Sequence, residues 1–236
     1  MKNNANVLSI DWDFFFDGAG DIAGSCVPCS WLDVYCDGGN LFRDHPRPLI
    51  SRVTAPSRML HQLDAGEYLQ GSTSSPVDFL RELQIKKGAP VSVAECHADI
   101  WPVLSRNCHV LNIDAHEDRE AHWLDSPFEP KLIDGKVNPW HFLHCGCWCS
   151  FAEEHKEISM RWVGQWSSLK QDDLARVYDQ VFICQSLPYT PAGYDRRFYK
   201  FLVKMHARCG GKIEFLGPHY RRLRHGYERA SLRAAA

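Results

Sequence analysis

The sequence predicts a single α/β domain built on a mostly parallel central sheet, and three observations carry that expectation. Short apolar runs of strand length recur along the chain, helical stretches separate them, and three of the runs end directly in acidic or histidine residues. With 236 residues, the chain fits one domain, residues 1–236, of ordinary to generous size. Hydrophobic residues at 44% and charged residues at 24% are globular proportions, which excludes wholesale disorder, collagen-like repeats and a coiled coil.

The first run, residues 7–10, reads as a buried strand whose carboxyl end delivers Asp11 and Asp13. Residues 18–71 are rich in Gly, Pro, Asp and Ser and are expected to form a loop-rich insertion, a candidate lid. Residues 76–87 are expected to be a helix, with Ser75 as N-cap, Pro76 in the first turn, and Phe79, Leu80 and Leu83 on one face. A strand over residues 91–94 runs into Glu95, Cys96, His97, Ala98 and Asp99, and a further one over 108–113 ends at Asp114. A helix is expected over 171–178, favoured by Asp172 or Asp173 in its first turn, followed by a strand over 181–184 and a last one over 212–216. Strands alternating with helices imply parallel pairing, and such sheets bind ligands at the carboxyl ends of their strands.

Charge is unevenly spread around a formal net value of −2, since residues 192–236 hold 11 Lys/Arg against 3 Asp/Glu. An acidic body with a basic end argues against a protein built chiefly to hold nucleic acid. Arg221, Arg222, Arg224 and Arg229 read either as solvated surface or as a grip for an acidic peptide or RNA. No stretch approaches the roughly 18 apolar residues that span a bilayer, and the start MKNNANVLSIDWD lacks the apolar core of a signal peptide, so a cytoplasmic protein without a membrane partner is expected. Ten cysteines without an export signal then read as reduced thiols. Cys26 and Cys29 form one CxxC, which leaves a redox or zinc role open, whereas Cys145, Cys147 and Cys149 have a spacing that puts them on one side of a strand rather than around a zinc ion.

The chemistry concentrates at three strand ends. Asp114, His116 and Asp118 follow one strand at i, i+2 and i+4, Asp11 and Asp13 end another, and His97 follows a third. Asp and His after a strand also cap helices, but these carboxylates gathered at one sheet edge would repel one another without a cation. A mixed carboxylate and imidazole set suits Mn²⁺, Fe²⁺ or Zn²⁺, and six ligands suffice for two ions sharing carboxylates.

NIDAHED, residues 112–118, resembles the DAHxD signature of the ureohydrolases, the arginase and agmatinase group, and SIDWDFFFD, residues 9–17, resembles their SxDxDxxD segment. ECHAD, residues 95–99, lies where that family offers its first histidine ligand. In ordinary arginases the SxDxD segment comes late, whereas here it opens a shorter chain, an order similar to that of the atypical peptide arginases. The resemblance implies a three-layer α/β/α arginase/deacetylase-like fold with rearranged motif order. It also implies two Mn²⁺ ions on His97, Asp114, His116, Asp118, Asp11 and Asp13, and hydrolysis of arginine side chains in a ribosomal precursor peptide to ornithine and urea. Free arginine, agmatine or an amide substrate, or a peptide-binding protein with a structural metal, are the other readings that such a centre permits.

Around that centre His141 and His144 are candidates for delivering a proton to the leaving amine, with Asp118 also counted among the catalytic groups, because histidine titrates near the working pH. Glu117 and Glu95 read either as solvated acids or as groups holding a cationic side chain, and Tyr189 and Trp148 as candidates for lining the substrate entrance, with packing as the alternative role of both aromatics.

Overall fold

The structure, a computed structural model, describes residues 5–15, 81–119, 132–133, 136–137, 148–164, 168–186, 195–217 and 220–235. Ten strands lie among them: β1 (Asn6–Asp11), β2 (Gln84–Ile85), β3 (Ala89–Ala94), β4 (His109–Ile113), β5 (Leu132–Ile133), β6 (Lys136–Val137), β7 (Ser159–Val163), β8 (Val177–Tyr178), β9 (Gln180–Cys184) and β10 (Gly210–Phe215). The helices are α1 (Trp148–Lys156), α2 (Gln171–Ala175), α3 (Asp195–Cys209) and α4 (Tyr220–Ala235), with single 3₁₀ turns at Trp12–Phe15 and His97–Ile100.

Six strands form one sheet in the order β10-β3-β9-β1-β4-β7, and every neighbouring pair is parallel. Parallel pairing puts all six carboxyl ends on one edge. On one face Leu8, Ile10, Val91, Val93, Leu111, Ile113, Val181 and Ile183 pack against Phe198, Phe201, Leu202 and Met205 of α3 and Leu223 of α4. On the other, Val7, Ala94, Val110, Phe182 and Cys184 pack against Trp148, Cys149, Phe151 and Ala152 of α1. The molecule is thus an α/β protein with a parallel sheet flanked by helices, as the alternation of runs predicts.

The five expected strands all appear within two residues of their expected starts, β3 and β10 each beginning two residues early. The expected helix over 171–178 stops at Ala175, because Arg176 turns extended and Val177 and Tyr178 form β8, which pairs in parallel with β2. That β2 pairing also corrects the far end of the helix expected over 76–87, since Gln84 and Ile85 are strand; the part before residue 81 lies outside the described residues, as does the insertion over 18–71. Asp173 does support the start of α2, accepting the Lys170 N–H at 2.8 Å while both its oxygens accept from Nε of Arg161.

The basic end of the chain holds α3, β10 and α4. Phe198, Phe201, Leu202, Met205 and Cys209 recur at helical spacing on α3 and are buried. α4 settles against α3 through Leu223 and Gly226, where a Cβ would fall 2.1 Å from the Tyr199 ring, so glycine permits the approach. Among the described residues no helix is long and apolar enough to cross a membrane.

Candidate metal centre

β1 and β4 are adjacent, and their sequences coincide: Val7, Leu8, Ser9 and Ile10 pair with Val110, Leu111, Asn112 and Ile113 in register, each strand followed by an aspartate site. Side-chain alternation turns Leu8, Ile10, Leu111 and Ile113 toward α3. It sends Ser9 and Asn112, with Asp11 and Asp114 beyond them, toward the α1 face. β3 is separated from β1 by β9 alone, so the turn after β3 brings His97 to the same edge.

There Asp11, Asp13, His97, Asp114 and Asp118 are all buried and His116 is half-buried. Nδ1 of His97 lies 3.0 Å from Oδ2 of Asp114, 3.1 Å from Oδ2 of Asp11 and 3.3 Å from Oδ2 of Asp118, yet makes no aligned hydrogen bond with any of them. Nδ1 of His116 lies 3.0 Å from Oδ2 of Asp13 and 3.7 Å from Oδ1 of Asp114. Beside a compact group of Asp11, His97 and Cys184, two more groups of possible ligands result, His97 with Asp114 and Asp118, and His116 with Asp13 and Asp114. Asp114 belongs to both, one oxygen toward each. All six residues singled out from the sequence as ligands therefore meet at one place.

Neighbours hold these groups in position. Nε2 of His97 is 2.7 Å from Oγ of Ser9, which leaves Nδ1 to face the carboxylates. The His97 ring is stacked between Trp148, 4.6 Å away, and Phe182, 5.6 Å away. Trp148 donates Nε1–H to Oδ2 of Asp118 at 2.6 Å, and Ser186 donates its hydroxyl to Oδ2 of Asp13 at 3.2 Å. Asn112 donates to Oδ2 of Asp114 at 3.3 Å, the backbone N–H of His116 to its Oδ1 at 2.8 Å, and Nε1 of Trp162 to its carbonyl at 2.9 Å. Asp118 has φ 53°, a left-handed conformation costly for a non-glycine residue, held by the Cys149 N–H on its carbonyl and the Trp148 bond on its side chain.

The electrostatics show how the buried charges act on one another. Burial, followed by the charges of Asp13 and Asp114, pushes the Asp11 carboxyl up to about 7. Burial and then Asp114 push Asp118 well above the carboxylate range. Asp114 runs the other way: burial opposes its charge, but His97 and His116 outweigh burial and bring it down. Burial would also discharge the two imidazoles, yet the surrounding carboxylates overcome it, taking His116 up to about 10 and His97 well above its usual value. Without a cation, this set neutralises itself only by taking up protons. Oδ1 of Asp13 is buried with no hydrogen-bond partner among the described residues. Oxygen and nitrogen donors converging at one buried place form groups that could hold a divalent metal ion.

Other residues singled out from the sequence sit differently. Glu95 is buried, and its carboxylate accepts from Nε of Arg222 at 2.7 Å, an ion pair that ties the end of β3 to α4. Glu117 is exposed and lies 3.2 Å from Nε of Arg119. Trp148 is fully buried against His97, so of the two roles open to it from sequence it packs, and it adds a hydrogen bond to a ligand. Cys149 lies on α1, which corrects the strand reading of Cys145, Cys147 and Cys149 at that residue. His141, His144, Tyr189, Cys26, Cys29, Cys145 and Cys147 lie outside the described residues. The sequence alone assigns Ser9, Asn112, Phe182, Cys184 and Ser186 no part in holding the metal ligands. Ser9 and Asn112 carried a usable signal, each being the single polar residue inside an apolar strand, two before an aspartate. Comparison with family models, with curated proteins and with solved structures finds nothing that matches this chain.

Proposed function

We propose that the chain is a metal-dependent hydrolase of the arginase type, with an arginase/deacetylase-like fold, acting on the guanidinium of arginine residues in a precursor peptide. The observation that carries the reading is the pair of His/Asp groups sharing Asp114 at the carboxyl edge of a parallel sheet. His97, Asp114, Asp118 and Asp11 would hold one divalent ion, and His116, Asp13 and Asp114 the other, Mn²⁺ being suited to such oxygen-rich sets. When bound, such a pair supplies positive charge and lowers the pKa of water toward neutrality.

The chain's own residues fix the rest. Ser9 holds Nε2 of His97 so that Nδ1 faces the carboxylates, Trp148 and Ser186 hold Asp118 and Asp13, and the buried edge keeps solvent away from these carboxylates. Hydrolysis joins the oxygen of one water to Cζ and breaks the Cζ–Nε bond of the arginine side chain; the carbon leaves as urea, and Nε becomes the ornithine amine once it gains a proton from that water. His141 and His144 are our candidates for delivering that proton. The peptide substrate rests on the resemblance to peptide arginases, with residues 18–71, rich in Gly, Pro, Asp and Ser, as candidate material for a groove.

The test measures bound metal and urea release together, on free arginine, agmatine and an arginine peptide blocked at both ends. Two Mn²⁺ per chain and urea from the blocked peptide are expected. Turnover of free arginine with the blocked peptide untouched overturns the peptide assignment, and a chain that binds metal but releases urea from none of the three overturns the arginase assignment.

A further inference from the structure

We propose that Cys184 is a thiolate ligand of the same centre, giving it a second coordination set, Asp11, His97 and Cys184, that selects a thiophilic divalent ion such as Zn²⁺ or Cd²⁺. The proposal deepens the metal-centre reading and rests on it. Cys184 ends β9, the strand between β1 and β3, and its register partners are Asp11 on one side and Ala94 on the other, just before the turn that carries His97. Its sulfur, a carboxylate oxygen of Asp11 and a ring nitrogen of His97 lie within 4.8 Å of one another, and all three residues are buried. The cysteine does not stand alone, because Nδ1 of His97 is buried at this place without an aligned hydrogen bond.

The surroundings suit a bound sulfur. Ser186, at φ 50°, turns its backbone N–H onto Sγ at 3.3 Å, the kind of donor that steadies a thiolate. The thiol points at the Glu95 carbonyl at 3.6 Å, so an ion bound to the sulfur displaces the thiol proton. His97 belongs both to this set and to the oxygen-rich group of Asp114 and Asp118, and its Nδ1 lies within 3.3 Å of an oxygen of Asp11, of Asp114 and of Asp118. One ion therefore draws on either side, and donor softness decides which: Mn²⁺ keeps to carboxylates, whereas a thiophilic ion recruits sulfur.

The experiment titrates the reduced full-length protein with Cd²⁺ and with Mn²⁺ separately, reading the thiolate-to-cadmium ultraviolet band and the ¹¹³Cd chemical shift. A band and a shift characteristic of sulfur ligation are expected. Cys184→Ser should lose them and weaken Cd²⁺ binding by about tenfold or more while Mn²⁺ affinity changes by less than about threefold. Cys149→Ser serves as the control, because that sulfur lies near Asn112 and belongs to none of the ligand groups; it should keep the signal. A wild-type Cd²⁺ complex with an oxygen and nitrogen shift only, or a band that survives undiminished in Cys184→Ser, overturns the proposal. If Mn²⁺ binds and cadmium shows no sulfur, the proposal alone fails; if neither ion binds, the centre itself is refuted.

Discussion

The indole nitrogen of Trp148 and the carboxylate of Asp118 are joined at 2.6 Å, and the same indole ring is stacked on His97. One residue of α1 thus touches two candidate ligands that come from the ends of different strands. Trp148→Phe keeps much of the stacking but removes the donor, and should lower metal affinity about 10- to 100-fold, as losses around metal ligands do. Isothermal titration with Mn²⁺ checks it.

Asp114 places one oxygen toward each group, so its loss should affect both. Asp114→Ala is expected to bind no ion tightly, whereas His116→Ala, whose ring serves only the second group, should retain one. Elemental analysis after dialysis counts them.

Stability without metal should fall as pH rises. Asp11 is raised to about 7 and His116 to about 10, so the folded chain binds more protons than the unfolded chain above pH 4 for the first and above pH 6.5 for the second. Their stabilising contribution is complete at low pH and is lost as pH climbs through those folded values. Thermal unfolding in chelator should show Tm declining between about pH 6 and 9, and added Mn²⁺ should remove much of the slope, because the ions replace the protons.

Arg222 pairs with buried Glu95, so removing it alone leaves a carboxylate in the interior. Arg222→Met should cost about 1–3 kcal/mol, the half-exposed guanidinium placing it below a fully buried pair, and Glu95→Gln in the same chain should recover part of that. Chemical denaturation of the two singles and the double measures the coupling.

Asp99, in the turn after β3, is raised to about 7 by burial. Its contribution is likewise present at low pH and lost as pH rises from about 4 to 7, so Asp99→Asn should flatten the chain's pH dependence over that window while leaving the number of bound ions unchanged. Unfolding curves of the variant across this range, with metal counted in parallel, check it.

Much of this centre was legible in the sequence by itself, because the strands that build it are short apolar runs ending in ligands. VLSID and VLNID announce two buried strands by composition, and the carboxylates beyond them can only gather at one edge if the pairing is parallel. His97, Asp11, Asp13, Asp114, His116 and Asp118 were all readable in this way. What the sequence left undetermined was which strands are neighbours. The adjacency of β9 to both β1 and β3 is set by packing between elements distant in the chain, and it alone brings Cys184 beside Asp11 and His97. The same holds for Trp148, whose helix is fixed by its burial against the sheet, and for Glu95, whose charge is claimed by an arginine 127 residues later. Local pattern reports the period and the ends of an element. Only tertiary contacts decide which partner each polar side chain finds there, because that choice depends on groups the local sequence does not contain.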